Sequence, residues 1–160
     1  MNRSIRTVPG TVFPADDIAA EGGEAFLDKV FYVSDGVMLS TVREITGQDT
    51  MALQNWVKRK WVPNPVKKTY DRERLARILI INALRDTLQI ARILYLLKYI
   101  NGTEPEDRII PESRLYGLFC RVTGGVLRQG SGDLSSKRFF PDLIAGMRIR
   151  LDLLFLDQVI

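Results

Sequence analysis

The chain has no histidine and a single cysteine, Cys120. Without histidine it lacks the side chain that most often serves as a neutral metal ligand or as a general base near neutral pH. One cysteine excludes an intramolecular disulfide and a cysteine-clustered zinc site. No paired-carboxylate or nucleophile–base arrangement stands out, so a non-enzyme without a cofactor is expected. Long apolar runs are missing too. The most hydrophobic stretch, Ile78 to Ile100, is interrupted by Arg85, Asp86 and Arg92, which argues against a bilayer span. The opening Met1-Asn2-Arg3-Ser4-Ile5-Arg6 leads into proline and acidic residues rather than a secretory signal. A cytoplasmic protein without membrane contact is expected. Gly124-Gly125 and the Gln129–Asp133 loop lack the lysine context of a phosphate cradle. Cys120 sits among Leu118, Phe119 and Val122 and reads as an inert buried thiol.

What is present is an ordinary globular balance: 160 residues, 46% hydrophobic and 26% charged, enough to bury a core without staples. The formal charge of +4 is unevenly placed. Residues 38–100 hold twelve Lys and Arg against five Asp and Glu, a local excess of seven; residues 1–37 hold three basic and six acidic groups, and residues 101–160 hold eight of each. A basic excess confined to one segment points to a polyanionic partner for that segment.

Apolar spacing organises the chain into helices. Residues 1 to about 15 read as an irregular arm, followed by a short helix from Asp16-Asp17 through Val30. Leu39, Val42 and Ile45 share one face of the next helix, capped by Asp35 or by Ser40/Thr41, with Thr41-x-x-Glu44 fitting a capping box. Thr46-Gly47 ends it. Asp49 or Thr50 caps a second helix through about Lys60, with Leu53, Trp56 and Val57 facing inward. Pro63 and Pro65 exclude continuation, and Val66 to Tyr70 reads as a short exposed strand or loop, a wing. Asp71 caps a third helix through about Arg85. A fourth, capped by Asp86 or Thr87, carries Ile90, Ile93, Leu94 and Leu97 and ends at Asn101-Gly102. Pro111 starts a fifth helix through about Val122, interrupted at Gly124-Gly125. A last helix, Pro141 to near Ile160, is apolar on more than one side and needs either a groove or an interface. The expected divisions are an arm and short helix over 1–37, a helix-turn-helix module over 38–100, and a helical region for dimerisation or an effector over 101–160.

Four features in order, Ile45-Thr46-Gly47, Leu53-x-x-Trp56, Val62-Pro63-x-Pro65 and Tyr70-Asp71-x-x-x-Leu75, resemble the N-terminal DNA-binding domain of MerR-type transcriptional regulators. The stretch Met51 to Leu84 is more closely similar to a bacterial domain-of-unknown-function family with the same MerR-like core. The resemblance covers about residues 38–100. It implies an all-α chain built on a winged helix-turn-helix with a helical C-terminal extension. It further implies sequence-specific regulation of transcription on double-stranded DNA by a homodimer, with the second helix in the major groove. Lys58 and Arg59 match the basic end of the recognition helix, and Tyr70 and Arg72 match the junction of wing and third helix. Gln54 and Asn55 stand where the regulators usually carry arginine and tyrosine, and Arg43 where they keep a small residue.

The residues support the same chemistry without the family. Thr50, Met51, Gln54 and Asn55 occupy the outward N-terminal half of the second helix. The two amides can each offer a donor and an acceptor to an adenine edge, and Met51 suits a thymine methyl. Lys58, Arg59, Lys60, Lys67, Lys68, Arg72 and Arg74 flank that helix in sequence and can neutralise phosphates. Trp56 shares a face with Leu53 and is expected in the core; Trp61 is expected to pack under the wing. A helical protein-interaction adaptor that keeps the winged fold without binding DNA is the alternative, and an architectural or recombination accessory factor would use the same fold and the same DNA. Any small-molecule effector is left open.

Overall fold

A computed structural model describes residues 7–14, 23–86, 88–102, 108–128 (side chains to 123) and 145–147. The described chain is mostly helical with one small antiparallel sheet. Its elements are α1 (Gly23–Val30), β1 (Val37–Met38), α2 (Leu39–Thr46), α3 (Thr50–Lys58), β2 (Thr69–Tyr70), α4 (Arg72–Leu84), α5 (Ile90–Asn101) and α6 (Glu112–Arg128). The expected helix start at Asp16-Asp17, the Gln129–Asp133 loop and most of the terminal helix lie outside the described residues. Of that helix, only the turn at 145–147 is described, with Met147 buried. No helix among the described residues is long and apolar enough to cross a membrane.

α4 is the centre of the molecule. Leu75, Ala76, Ile78, Leu79, Ile80, Ile81 and Leu84 are all buried, so it is covered on several sides rather than along one stripe. α6 packs on α4 and on α1, while α5, α2 and β2 pack on other parts of α4. One cluster joins Leu27 of α1, Val42 and Ile45 of α2, Leu53 and Trp56 of α3, the α4 face, Ile93 and Leu97 of α5, and Leu115, Tyr116 and Phe119 of α6. Burying each such side chain stabilises the fold by about 1.5–3 kcal/mol. Packing is therefore continuous across residues 37/38 and 100/101. Between Glu112 and Thr123 the apolar side chains Leu115, Tyr116, Leu118, Phe119 and Val122 of α6 are buried within the chain.

Several helix ends follow from local chemistry. Asp49 caps α3 by accepting from the Ala52 amide at 2.7 Å, and Asp71 caps α4 by accepting from the Arg74 amide at 2.9 Å. Gly47 closes α2 in a left-handed conformation (φ 71°), donating its amide to the Arg43 carbonyl. Other ends differ from expectation. Neither Asp35 nor Ser40/Thr41 caps α2. Its N-cap is Met38, which makes no side-chain cap bond, because residues 37 and 38 are already paired with Tyr70 and Thr69 in the sheet. α5 begins at Ile90 after Gln89 rather than at Asp86 or Thr87. α6 runs through Gly124-Gly125 to Arg128. Two helical glycines cost about 1 kcal/mol each, less than the packing of one helix face contributes.

Residues 7–14 of the N-terminal arm are irregular but anchored. Val8 is buried, the Val12 amide donates to the Ile45 carbonyl at 2.9 Å, and the Tyr116 hydroxyl donates to the Pro9 carbonyl at 2.6 Å. Gly10 makes this docking possible. It sits at φ 78°, and a Cβ there would lie 2.1 Å from the Leu79 carbonyl oxygen. Gly10→Ala should therefore cost roughly 2–3 kcal/mol through combined clash and backbone strain, read as a lower urea midpoint with unchanged slope. Cys120, beside Tyr116, has its thiol pushed up to about 12 by burial. It carries no thiolate near neutral pH, consistent with an inert side chain.

Candidate nucleic-acid interface

α3 turns Leu53 and Trp56 inward, at 1% and 4% exposure. That fixes its other side. Met51, Gln54, Asn55 and Lys58, spaced i, i+3, i+4, i+7, are all exposed and share one face. Met51 is 79% exposed, and Thr50 is half-buried at the helix start. Gln54 and Asn55 are exposed and make no side-chain hydrogen bond to the described residues.

The turn before α3 is held rigidly. Gln48 Nε2 donates to Asn82 Oδ1 at 2.9 Å, and Asn82 Nδ2 donates to the carbonyls of Thr46 (3.1 Å) and Gly10 (2.9 Å). Arg85 Nη1 donates to Gln48 Oε1 at 2.7 Å, while its guanidinium lies 5.8 Å from the centroid of the Trp56 ring. This network ties the α2–α3 turn, the arm and the end of α4 into one unit, so α3 presents its outer face at a fixed angle.

After α3 the chain unwinds through Lys60, left-handed at φ 64°, and the amides of Trp61 and Val62 both donate to the Trp56 carbonyl. Arg59 lies over the Trp61 ring at 5.2 Å, a cation–π contact. Trp61 itself is half-buried and packed on the core, as expected. The excursion then reverses in a two-residue turn. Val66 and Thr69 exchange both backbone hydrogen bonds, at 3.0 and 2.9 Å, with Lys67 (φ 50°) and Lys68 (φ 62°) between them. Two consecutive left-handed residues are the signature of the type I′ hairpin turn, a geometry that favours Asn-Gly. Here it holds two exposed lysines.

The structure thus brings Lys58, Arg59, Lys60, Lys67 and Lys68 to exposed positions, without an ion pair among the described residues. Three other expected contact residues are engaged within the chain. Tyr70 is 4% exposed: opposite Val37 in the sheet it faces the core, and burial raises its hydroxyl pKa. Arg72, opening α4 beside α1, is paired with Asp28 and donates to the Glu24 carbonyl at 3.2 Å. Arg74 is held by Asp71 at 2.6 Å and donates to the Asn64 carbonyl at 2.7 Å. Sequence reasoning missed Gln48, Asn82 and Arg85 as the frame of α3, and Arg77 as a support of the 59–66 segment. Their partners lie sixteen or more residues away, so no local spacing signals them.

No curated protein and no solved structure matches the chain. Residues 20–119, well over half of the length, match the family described as a domain of unknown function (DUF1836), and the chain belongs to that family.

Proposed function

We propose that the chain is a sequence-specific regulator of transcription that binds double-stranded DNA through a MerR-like winged helix-turn-helix. α2 and α3 are the two helices, and the 59–70 excursion is the wing. The observation that carries this reading is the outward face of α3. Met51, Gln54, Asn55 and Lys58 are exposed and, among the described residues, without a side-chain partner, on a helix whose opposite side is locked into the core. A helix about 10–12 Å across fits the major groove. Arg59, Lys60, Lys67 and Lys68 follow the helix and supply phosphate contacts, which position the protein without reading sequence. The protein acts as a homodimer on two half-sites. Pairing through the helical region beyond residue 111 fits this reading, and light scattering at micromolar concentration measures the state.

The test is fluorescence anisotropy with a labelled duplex, first random and then selected. Affinity should fall steeply between low and physiological salt. Gln54→Ala and Asn55→Ala should each relax preference at one base pair by about 1–3 kcal/mol; site preference unchanged in both would remove α3 from the groove. A protein-adaptor reading has one observation in its favour. Met38 and Val66 flank Thr69 on the outer side of the hairpin and are 60% and 56% exposed, an apolar strip suited to a protein surface. Absence of DNA binding even at low salt would select that reading.

A further inference from the structure

Within the segment joining α3 to β2, the stretch between the buried Val62 and the Val66–Thr69 turn has little internal support. Pro63 and Pro65 have no amide to donate. Two arginines of α4 hold it from outside through its carbonyls. Arg74 reaches Asn64 and is oriented by Asp71, the cap of its own helix. Arg77 Nε donates to the Trp61 carbonyl at 2.5 Å, and its orientation comes from much further along the chain: Arg77 Nη1 contacts Glu112 Oε1 at 2.6 Å. Glu112 is the first residue of α6. The two side chains are only 14% and 5% exposed, so this pair lies in a medium where charges act on one another strongly and where a broken pair is felt. The Glu112 carboxylate also faces Arg108, at 3.4 Å. Glu73 of α4 accepts from the Ser113 amide and hydroxyl at 2.8 and 2.7 Å, fixing the first turn of α6 in place. A continuous line therefore runs from the start of α6 through Glu112 and Arg77 to the Trp61 carbonyl, and on to the Trp61 ring beneath Arg59.

We propose that Glu112 and Arg77 are positioning residues for the DNA-contacting segment, through which the start of α6 sets where residues 59–66 lie and so how tightly the protein grips DNA. The inference rests on the DNA-binding reading above. Neither residue touches DNA. Any ligand or partner that shifts the start of α6 changes DNA affinity by the same factor by which DNA changes its own binding.

Glu112→Gln separates this from simple electrostatics by sign. It removes a negative charge near a basic surface, so charge alone predicts tighter binding to a polyanion. Positioning predicts weaker binding, by about tenfold. The slope of log affinity against log salt stays unchanged because no phosphate contact is lost. Arg77→Lys keeps the charge but loses the planar fork and should weaken binding to a similar extent. Hydrogen exchange supplies a readout that does not need DNA. The Trp61 and Val62 amides, bonded to the Trp56 carbonyl at 3.0 and 3.3 Å, should exchange faster in both variants while those within α3 do not. Thermal melting first confirms that each variant is folded. Wild-type affinity or tighter in Glu112→Gln, with unchanged exchange at Trp61 and Val62, overturns the proposal. If the wild-type protein binds no duplex, the DNA reading fails by itself. Faster exchange in the variants then still establishes the coupling, and unchanged exchange overturns it.

Discussion

Replacing Lys67 by Asn and Lys68 by Gly should make the protein more stable and, at the same time, a weaker DNA binder. Both lysines hold left-handed backbone conformations, at φ 50° and 62°, and a non-glycine residue in that region costs of order 1–3 kcal/mol. Asn tolerates the conformation and Gly adopts it without a steric penalty. Glycine's greater freedom in the unfolded chain offsets part of the gain. The net expectation is a rise of about 1–2 kcal/mol in unfolding free energy, since the reciprocal Val66–Thr69 hydrogen bonds stay in place. On DNA the two lost cations should lower the salt slope by about 1.8, at about 0.9 per phosphate contact, with affinity falling alike on all sequences.

The opposite signs make this double variant informative. A hairpin kept only for structure would carry the turn residues its geometry favours, and restoring them would leave every other property untouched. A hairpin kept for phosphate contact tolerates strain to place positive charge at its tip. Unchanged DNA affinity alongside higher stability would remove the hairpin from the interface. Lower stability would show that the turn is not under the strain its dihedrals imply. Denaturation midpoints and anisotropy titrations on one preparation separate these outcomes.

Much of the frame is legible in the sequence because its signals are local. Asp49 and Asp71 reach amides three residues on, and Leu53 and Trp56 are one helical step apart, so caps and inward stripes follow from spacing alone. The sheet is not legible in the same way. β1 is two residues long and pairs with residues more than thirty positions later. A strand that short has no alternation from which to assign a face, so the burial of Tyr70 does not follow from spacing. Counting cations has a related weakness. Arg72 and Arg74 contribute to the basic excess of the segment, yet Asp28 on α1 and the Asn64 carbonyl occupy them. The α3 face was readable because burial of one side implies exposure of the other. The frame of Gln48, Asn82 and Arg85 was not, because three elements must be folded before those side chains meet.

Trp56→Ala should be the most destabilising single substitution in the α3 region, at about 3–5 kcal/mol, a large share of the stability of a domain this size. The ring is 4% exposed, packs in the central cluster beside Leu53, and has the Arg85 guanidinium 5.8 Å from its centroid. The Trp56 carbonyl, which receives the Trp61 and Val62 amides, survives in alanine. The loss is therefore one of packing and of the stacked cation, not of the backbone turn. Trp61→Ala removes a half-buried ring at the surface and should cost only about 1–2 kcal/mol by lost apolar burial, while freeing Arg59 from its stacking surface. Urea unfolding distinguishes the two, with the remaining tryptophan as the fluorescent reporter in each variant. If Trp56→Ala costs less than about 1 kcal/mol, the ring is not in the core. The inward face of α3 is then misassigned, and with it the outward face on which the reading of Gln54 and Asn55 depends. If the cost falls in the expected range and Trp61→Ala instead weakens DNA binding at little expense in stability, the two tryptophans divide as their surroundings suggest. One then anchors α3, and the other braces the segment that follows it.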